Sequence, residues 1–324
     1  MESHLPTPDP APSPNAIAKK KQYQWFFYIQ VVLLILFFLV MLDTGSYGWT
    51  LFAIIPFSIG LTCGYYSKIF RSKSFLRGTF LVLMILAAIS VLLIAAGMEG
   101  AICILMAEGI LALPAFLGMV AGYCIRNAYQ VYSLGLIILL NTSFLIYDAA
   151  DATFIRSIAS ETIVINAPRE KVWNILTHPF SFSMQENLFF KAGVTYPTSM
   201  ELNYNGKGKC FLMCHLTNGS ASLEIECLDS LERMRFLIPE EVQTMKELTF
   251  YDSLDAPHLK GYFDASFGEF TLKAIHTNQC MVTATTSYTY KITPAFYWRW
   301  WSDYLVNTMH RHILEDIKTR AEGH

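Results

Sequence analysis

Cys210, Cys214 and Cys227, the histidines His310 and His312, the alternating hydroxyls of Thr286, Tyr288 and Tyr290, and a lone Glu108 in an apolar run are the side chains best able to do chemistry. A thiol becomes a nucleophile when a basic neighbour lowers its pKa. No basic partner placed to lower their pKa is visible, so they read as small core hydrophobes. The two histidines lie two residues apart on a helical stretch, point to different faces and cannot hold one metal together, so they read as solvated surface. No metal or cofactor site emerges and no catalytic residue is assigned. The hydroxyls could orient a polar head group, although a buried tyrosine more often bonds a protein neighbour. Glu108 is costly inside an apolar segment and so is a functional candidate; Asn141 is a candidate partner for it.

These side chains sit on two very different backgrounds. The chain is 53% hydrophobic and 15% charged, with a net charge of -2. Between Gly78 and Tyr147 there are one Arg and two Glu, whereas the C-terminal half is normally charged. That asymmetry divides the chain into a Pro-rich tail (1–23, read as disordered), a membrane domain (24–150) and a water-soluble domain (158–324). The charge balance lacks the basic footprint that nucleic acid requires.

Five apolar runs approach the length needed to cross a bilayer: Trp25 to Leu42, Thr50 to Tyr66, Thr79 to Ala96, Ala101 to Cys124 and Val131 to Tyr147. Lys19 to Lys21, then Lys68, Arg71, Lys73 and Arg77, then Arg126 fall on one side, while the loops with Asp43 and Glu99 carry no Lys or Arg. The positive-inside rule makes the first side cytoplasmic. Five spans then predict an extracytoplasmic C-terminal domain, on a bacterial inner or plasma membrane. "PFSIGLTCGYYSK" and "PAFLGMVAGYCIR" repeat Pro, Gly, Gly, Tyr and a basic residue at constant offset, so Pro56, Gly60, Gly64, Tyr65 and Lys68 match Pro114, Gly118, Gly122, Tyr123 and Arg126. Glycine at every fourth position lets helices approach closely, which reads as packing in a duplicated hairpin.

In the soluble half, "TIVINAP" alternates as a half-buried strand does. Pro168 then opens a helix that turns Val172, Trp173, Ile175 and Leu176 inward. Asn218-Gly219 is a strong two-residue hairpin signal. Pairing about it sets Cys210 against Cys227, Leu212 against Ile225, Cys214 against Leu223 and Leu216 against Ala221, leaving His215 on the wet face. Cys210 and Cys227 would then be adjacent, either cross-linked or as two reduced thiols. A second hairpin turns in Phe270, Leu272 and Ala274, and opposite them Val282, Ala284, Thr286, Tyr288 and Tyr290. A long helix begins at Thr293-Pro294. Its rings Phe296, Tyr297, Trp298, Trp300, Trp301 and Tyr304 exceed what one face can take, so either Trp300 is a surface accident or the excess docks on a bilayer interface.

"TIVINAPREKVWNILTH", "MKELTFYDSLDAPHLKGYFDASFGEFTL" and "YKITPAFYWRWWSDYLVNTMHRHILEDIK" together resemble the START-like superfamily, also labelled SRPBCC, in its polyketide cyclase and lipid transport branch. The resemblance spans roughly Ser160 to Ala321, and its two later motifs look like a group of membrane-attached bacterial members. It implies an α+β helix-grip fold, an antiparallel sheet wrapped on the long C-terminal helix around an apolar cavity, after an α-helical membrane domain of about five spans. The cavity-lining candidates are Leu212, Cys214, Leu223, Ile225, Phe270, Leu272, Thr286, Tyr288, Tyr290, Trp301 and Leu305. The expected partner is a membrane lipid or another hydrophobic small molecule, with no cofactor. An aromatase/cyclase-like enzyme and an envelope scaffold with a filled core remain the alternatives. Asp255 and His258 flank Pro257 in an expected loop and are given no catalytic part.

Overall fold

The structure, a computed structural model, describes residues 14–44, 47–67, 75–127, 129–151, 154–204, 210–239, 242–246 and 263–323. The prolines from Pro6 to Pro12, Lys68, Arg71, Lys73, Asp255, His258 and most of the central resemblance motif lie outside these residues.

Helix α1 spans Pro14–Thr44. It therefore includes residues 14–23, which composition assigns to the tail. Pro14 suits a first helical turn, and the Ala, Lys and Gln residues after it are good helix formers. A π turn at Thr50–Ile54 leads into α2 (Ile55–Tyr65), followed by α3 (Phe75–Ala95), α4 (Ala101–Ile125) and α5 (Gln130–Ala150). Four helices are long and apolar enough to cross a membrane, whereas Thr50–Tyr65 is shorter. Asp148 accepts the backbone N–H groups of Trp49 at 3.0 Å and Thr50 at 2.7 Å. A carboxylate there satisfies orphan donors and faces the positive end of the helix dipole.

The repeated glycines lie where α2 meets α4. A side chain at Gly60 would strike the Ala115 backbone, and one at Gly64 the Met119 backbone. One at Gly118 would strike Phe57, and one at Gly122 Leu61. Partner numbers rise together along both helices, so the two copies of the repeat run parallel, backbone against backbone. Asn141 bonds Ser58 at 2.8 Å rather than Glu108, whose Oε1 accepts instead from the Ser90 hydroxyl at 2.5 Å. Gln30 donates to Ser133, in the first turn of α5, at 2.8 Å.

The soluble half is built from β1 (Ile155–Ile165), α6 (Arg169–Thr177), β2 (Phe180–Ser181), α7 (Leu188–Ala192), β3 (Pro197–Tyr204), β4 (Cys210–Leu216), β5 (Gly219–Asp229), β6 (Arg233–Leu237), β7 (Phe263–His276), β8 (Gln279–Tyr290) and α8 (Ala295–Glu322). The strands form one antiparallel sheet in the order β1-β8-β7-β6-β5-β4-β3-β2. The sheet curls over α8, which is the helix-grip arrangement. Val172 and Leu176 of α6 join Leu212, Leu223, Met234, Phe270, Leu272 and Val282 of the sheet in a core with Ile313, Leu314 and Ile317 of α8.

The β4–β5 hairpin differs from its sequence reading by two residues. Its turn is Thr217-Asn218, with Leu216 opposite Gly219, Cys214 opposite Ala221 and Leu212 opposite Leu223. A two-residue slip preserves strand parity, so the inward and outward faces are unchanged, and His215 stays exposed with its Nδ1 2.8 Å from Ser220 Oγ. The cysteine pairing does not survive the slip. Cys210 lies opposite Tyr204, Cys227 lies opposite Arg235 beyond a bulge, and all seven cysteines are free. In the second hairpin Phe270, Leu272, Val282, Ala284, Thr286, Tyr288 and Tyr290 are buried, whereas Ala274 is exposed where β7 overruns the core.

Candidate functional site

A second core cluster crosses the seam between the two halves. Tyr47, Phe52, Ile102, Met106 and Ala107 of the helical half pack with Phe190, Val194, Tyr196, Tyr288, Tyr290 and Trp298 of the soluble half. Polar bonds fix the same joint. Thr293 N–H donates to Tyr47 O at 3.1 Å, and the Tyr297 hydroxyl donates to Met106 O. Phe52 and Trp298 rings lie 5.0 Å apart. The soluble half thus seats on the start of the π turn and on the N-terminal third of α4, at the end of the bundle opposite Arg126.

Between sheet and α8, and continuing across this seam, runs a cavity of about 860 Å³. In the soluble half Leu212, Cys214, Ala221, Leu223, Phe270 and Ala284 of the sheet face Trp301, Leu305, Val306, Met309, His310 and Ile313 of α8 across it. In the helical half its wall includes Val31, Leu34 and Phe38 of α1, Leu51 and Ile59 around α2, Ile85, Ile89 and Leu93 of α3, and Cys103 and Leu111 of α4. Among the described residues that line it there is no Lys, Arg or Asp. Glu99 meets it at the seam, where its Oε1 accepts from the Tyr47 hydroxyl at 2.8 Å.

Of the eleven cavity candidates, Leu212, Cys214, Leu223, Phe270, Thr286, Trp301 and Leu305 lie on this wall. The other four lie elsewhere. Leu272 is core beneath α8, Ile225 packs on the edge of that core, and Tyr288 and Tyr290 belong to the seam cluster. Both tyrosines bond protein groups: Tyr288 donates to Asp303 Oδ1 at 2.5 Å and Tyr290 to Ala295 O at 3.2 Å. Burial, then the bond to Asp303, pushes the Tyr288 hydroxyl well above the ordinary tyrosine pKa, so it stays protonated. Burial also pushes the Cys214 thiol up to about 11, which keeps it from acting as a thiolate.

His310 is the residue that the sequence reading misplaced. It is buried, not solvated: it is 3% exposed and lies on the cavity wall. Its Nε2 is 2.8 Å from Thr286 Oγ1. Burial pushes its pKa from 6.5 down to about 4, against a weaker opposing pull from Glu161, so the ring is neutral at ordinary pH. The signal was in the helical spacing. His310 follows Val306 by four and precedes Ile313 by three, which puts it on the inward stripe; comparing it only with His312 hides this. His312 is not simply solvated either: its side chain is 13% exposed, and its Nε2 donates to the Ser183 carbonyl at 2.9 Å.

The aromatic excess of α8 also separates by face. Trp298 is buried and Trp301 faces the cavity, while Phe296, Trp300 and Tyr304, four residues apart, stand exposed on one outer stripe. Phe296 sits 6.4 Å from Trp49 at the start of the π turn, and Trp300 stacks on Tyr304.

No protein-family model and no curated protein matches the chain. Solved structures similar to its soluble half include truncated norcoclaurine synthase from Thalictrum flavum, at 9% identity over 53% of this chain and 97% of that one, with a TM-score of 0.32. A START superfamily protein from Mycobacterium smegmatis is similar at 10% identity over 51% and 97%, with a TM-score of 0.30. An aromatase/cyclase from Streptomyces sp. R1128 is similar at 11% over 52% and 94%, with a TM-score of 0.27. The similarity is to START-type proteins and concerns fold; what the site can do is argued from its own geometry.

Proposed function

We propose that the chain is a membrane-anchored receptor that binds a hydrophobic, lipid-like ligand in the cavity of its helix-grip domain. The observation that carries this reading is the continuity of the cavity, whose wall passes without a break from sheet and α8 to α1, α3 and α4. Its volume falls in the usual range for ligand sites, about 300–1,000 Å³. A core meant only to be filled has no use for such space, since native interiors pack to crystal-like density. That weighs against a scaffold with a solid centre.

An enzyme resembling the aromatase/cyclase branch is less well supported. The buried titratable ring on the wall, His310, has a pKa near 4, whereas a general base works best with a pKa near the working pH. The ligand-site reading also assigns a side of the membrane. The helix ends that meet the helix grip carry Tyr47, Glu99 and Asp148, and the opposite ends carry Lys19 to Lys21, Arg77 and Arg126. That distribution supports an extracytoplasmic domain.

Native mass spectrometry of the purified full-length protein is the direct test. A co-purified lipid that Leu223→Trp, a filling substitution on the wall, excludes supports the reading. A wild type that carries no lipid and takes up no apolar reporter overturns it. Reporter fusions after Glu322 test the side independently.

A further inference from the structure

The cavity wall holds a polar side chain that is almost wholly buried and uses only part of its hydrogen-bonding capacity. His310 pairs through Nε2 with Thr286 Oγ1 at 2.8 Å, and its Nδ1 meets no partner. Thr286, 7% exposed, lies on the same wall. A buried nitrogen left unpaired carries a desolvation penalty, which a guest supplying the missing bond removes. Resting on the reading of this cavity as a ligand site, we infer that His310 and Thr286 anchor the polar end of the ligand and select an uncharged lipid that carries a hydroxyl or carbonyl group.

The preference for an uncharged group follows from the surroundings. Among the described lining residues no Lys or Arg balances an anion, and two, Glu99 and Glu269, carry carboxyl groups. Moving an unpaired charge into such a site costs far more than moving a neutral group that forms one hydrogen bond. The ring itself offers no cation, because burial keeps it neutral.

A neutral imidazole next to a hydroxyl serves either guest. With Nε2–H donating to Thr286 Oγ1, Nδ1 accepts from an alcohol. With the Thr286 hydroxyl donating to Nε2, Nδ1–H donates to a carbonyl. A phosphate or carboxylate head gains at most one of these bonds and brings its charge.

The test uses the full-length protein in detergent, loaded with the apolar reporter N-phenylnaphthylamine. Hexadecanol, a long-chain methyl ketone, hexadecane and hexadecanoate then compete for it at mildly alkaline pH. The alcohol or the ketone is expected to compete roughly tenfold better than hexadecane, the worth of about one neutral hydrogen bond to a buried group, and hexadecanoate is expected to be weakest. His310→Phe should erase the preference while hexadecane still competes. The near-isosteric Thr286→Val should weaken it, and it keeps the test open if His310→Phe does not fold. Ratios between variant and wild type cancel partition into detergent. An alcohol-to-hexadecane ratio unchanged in Thr286→Val, or hexadecanoate as the tightest competitor of wild type, overturns the anchor alone. Failure of the reporter to bind wild type overturns the ligand-site reading and the anchor with it.

Discussion

Helices α4 and α8 each divide their length between packing and cavity wall, but they pack by different physics. The C-terminal half of α4 presses Gly118 and Gly122 against the α2 backbone, while Cys103, Met106 and Leu111 of its other half face the cavity. The C-terminal half of α8 buries Ile313, Leu314 and Ile317, while Trp301, Leu305 and Met309 face the same cavity. In lipid, apolar burial gives helices little reason to associate, so close backbone approach has to hold them. In water, removal of large apolar side chains from solvent is the driving force. One cavity is thus clamped at one end by glycines and at the other by aliphatic side chains.

The clamp in the helical half should be the less forgiving of the two. Gly118→Leu drives a side chain into the Phe57 backbone, which cannot move aside as a side chain can. The expected loss exceeds about 3 kcal/mol, read as failure to recover monodisperse protein or as a collapse of the melting temperature in detergent. Gly135→Leu is the control, since nothing lies within 4 Å of a side chain there, and its effect should stay within about 0.5 kcal/mol. Equal tolerance at both sites would mean that α2 and α4 are not held through their glycines.

Within α8 the same substitution should have different costs at the two ends. Leu314→Ala empties a site that is fully buried and should cost about 2–5 kcal/mol. Leu305→Ala widens space that is already open and should cost ~1 kcal/mol by lost burial alone, while changing ligand uptake. Chemical denaturation followed by near-UV circular dichroism separates the two. A Leu305→Ala loss as large as that of Leu314→Ala would show the cavity to be closed in solution.

His310 gives the comparison a pH axis. Its folded pKa, about 4, lies below the ordinary value of 6.5, so in that interval the unfolded chain binds a proton that the folded chain refuses. Stability from this group is therefore complete above about pH 6.5 and falls as pH drops toward about 4, by up to ~3 kcal/mol in all. The charged groups around it include Glu161, which Arg311 pairs at 2.8 Å. His310→Gln should flatten the acid limb of the melting curve; an acid limb of unchanged slope would place the proton uptake elsewhere.

The faces of the sheet were legible because strand alternation survives errors of register. The β4–β5 turn lies one residue earlier than expected and the pairing shifts by two, yet Leu212, Cys214, Ala221 and Leu223 still face inward. The cysteine pairing needed the register itself and therefore failed. Periodicity also identifies which residues are inside but not whether they touch packed core or open space, so Leu272 and Leu212 looked alike although only Leu212 lines the cavity. Nothing local to "LFAIIP" or "AICILM" indicates that Leu51 and Cys103 would meet a soluble domain, because that contact depends on how the halves dock. His310 was within reach of the helical stripe and was lost by reading it against His312 alone.

The outer stripe of α8 has the smallest expected effect on stability and bears most directly on where the seam lies. Phe296, Trp300 and Tyr304 are 70%, 60% and 38% exposed. A water-facing stripe gains nothing from such rings, whereas the bilayer interface favours aromatic side chains. The stripe is also held in place: Tyr304 accepts from Asn187 Nδ2 at 2.9 Å, and Phe296 lies beside Trp49 at the start of the π turn. If the seam sits at the interface, Trp300 should be quenched by lipids brominated near the head group and little by those brominated near the chain end. Trp300→Leu should remove that shallow component from the total tryptophan signal and change stability by less than about 0.5 kcal/mol. A quenching profile identical in wild type and Trp300→Leu would place the stripe in water, and the helix grip would then stand clear of the bilayer on its contacts with the π turn and α4 alone.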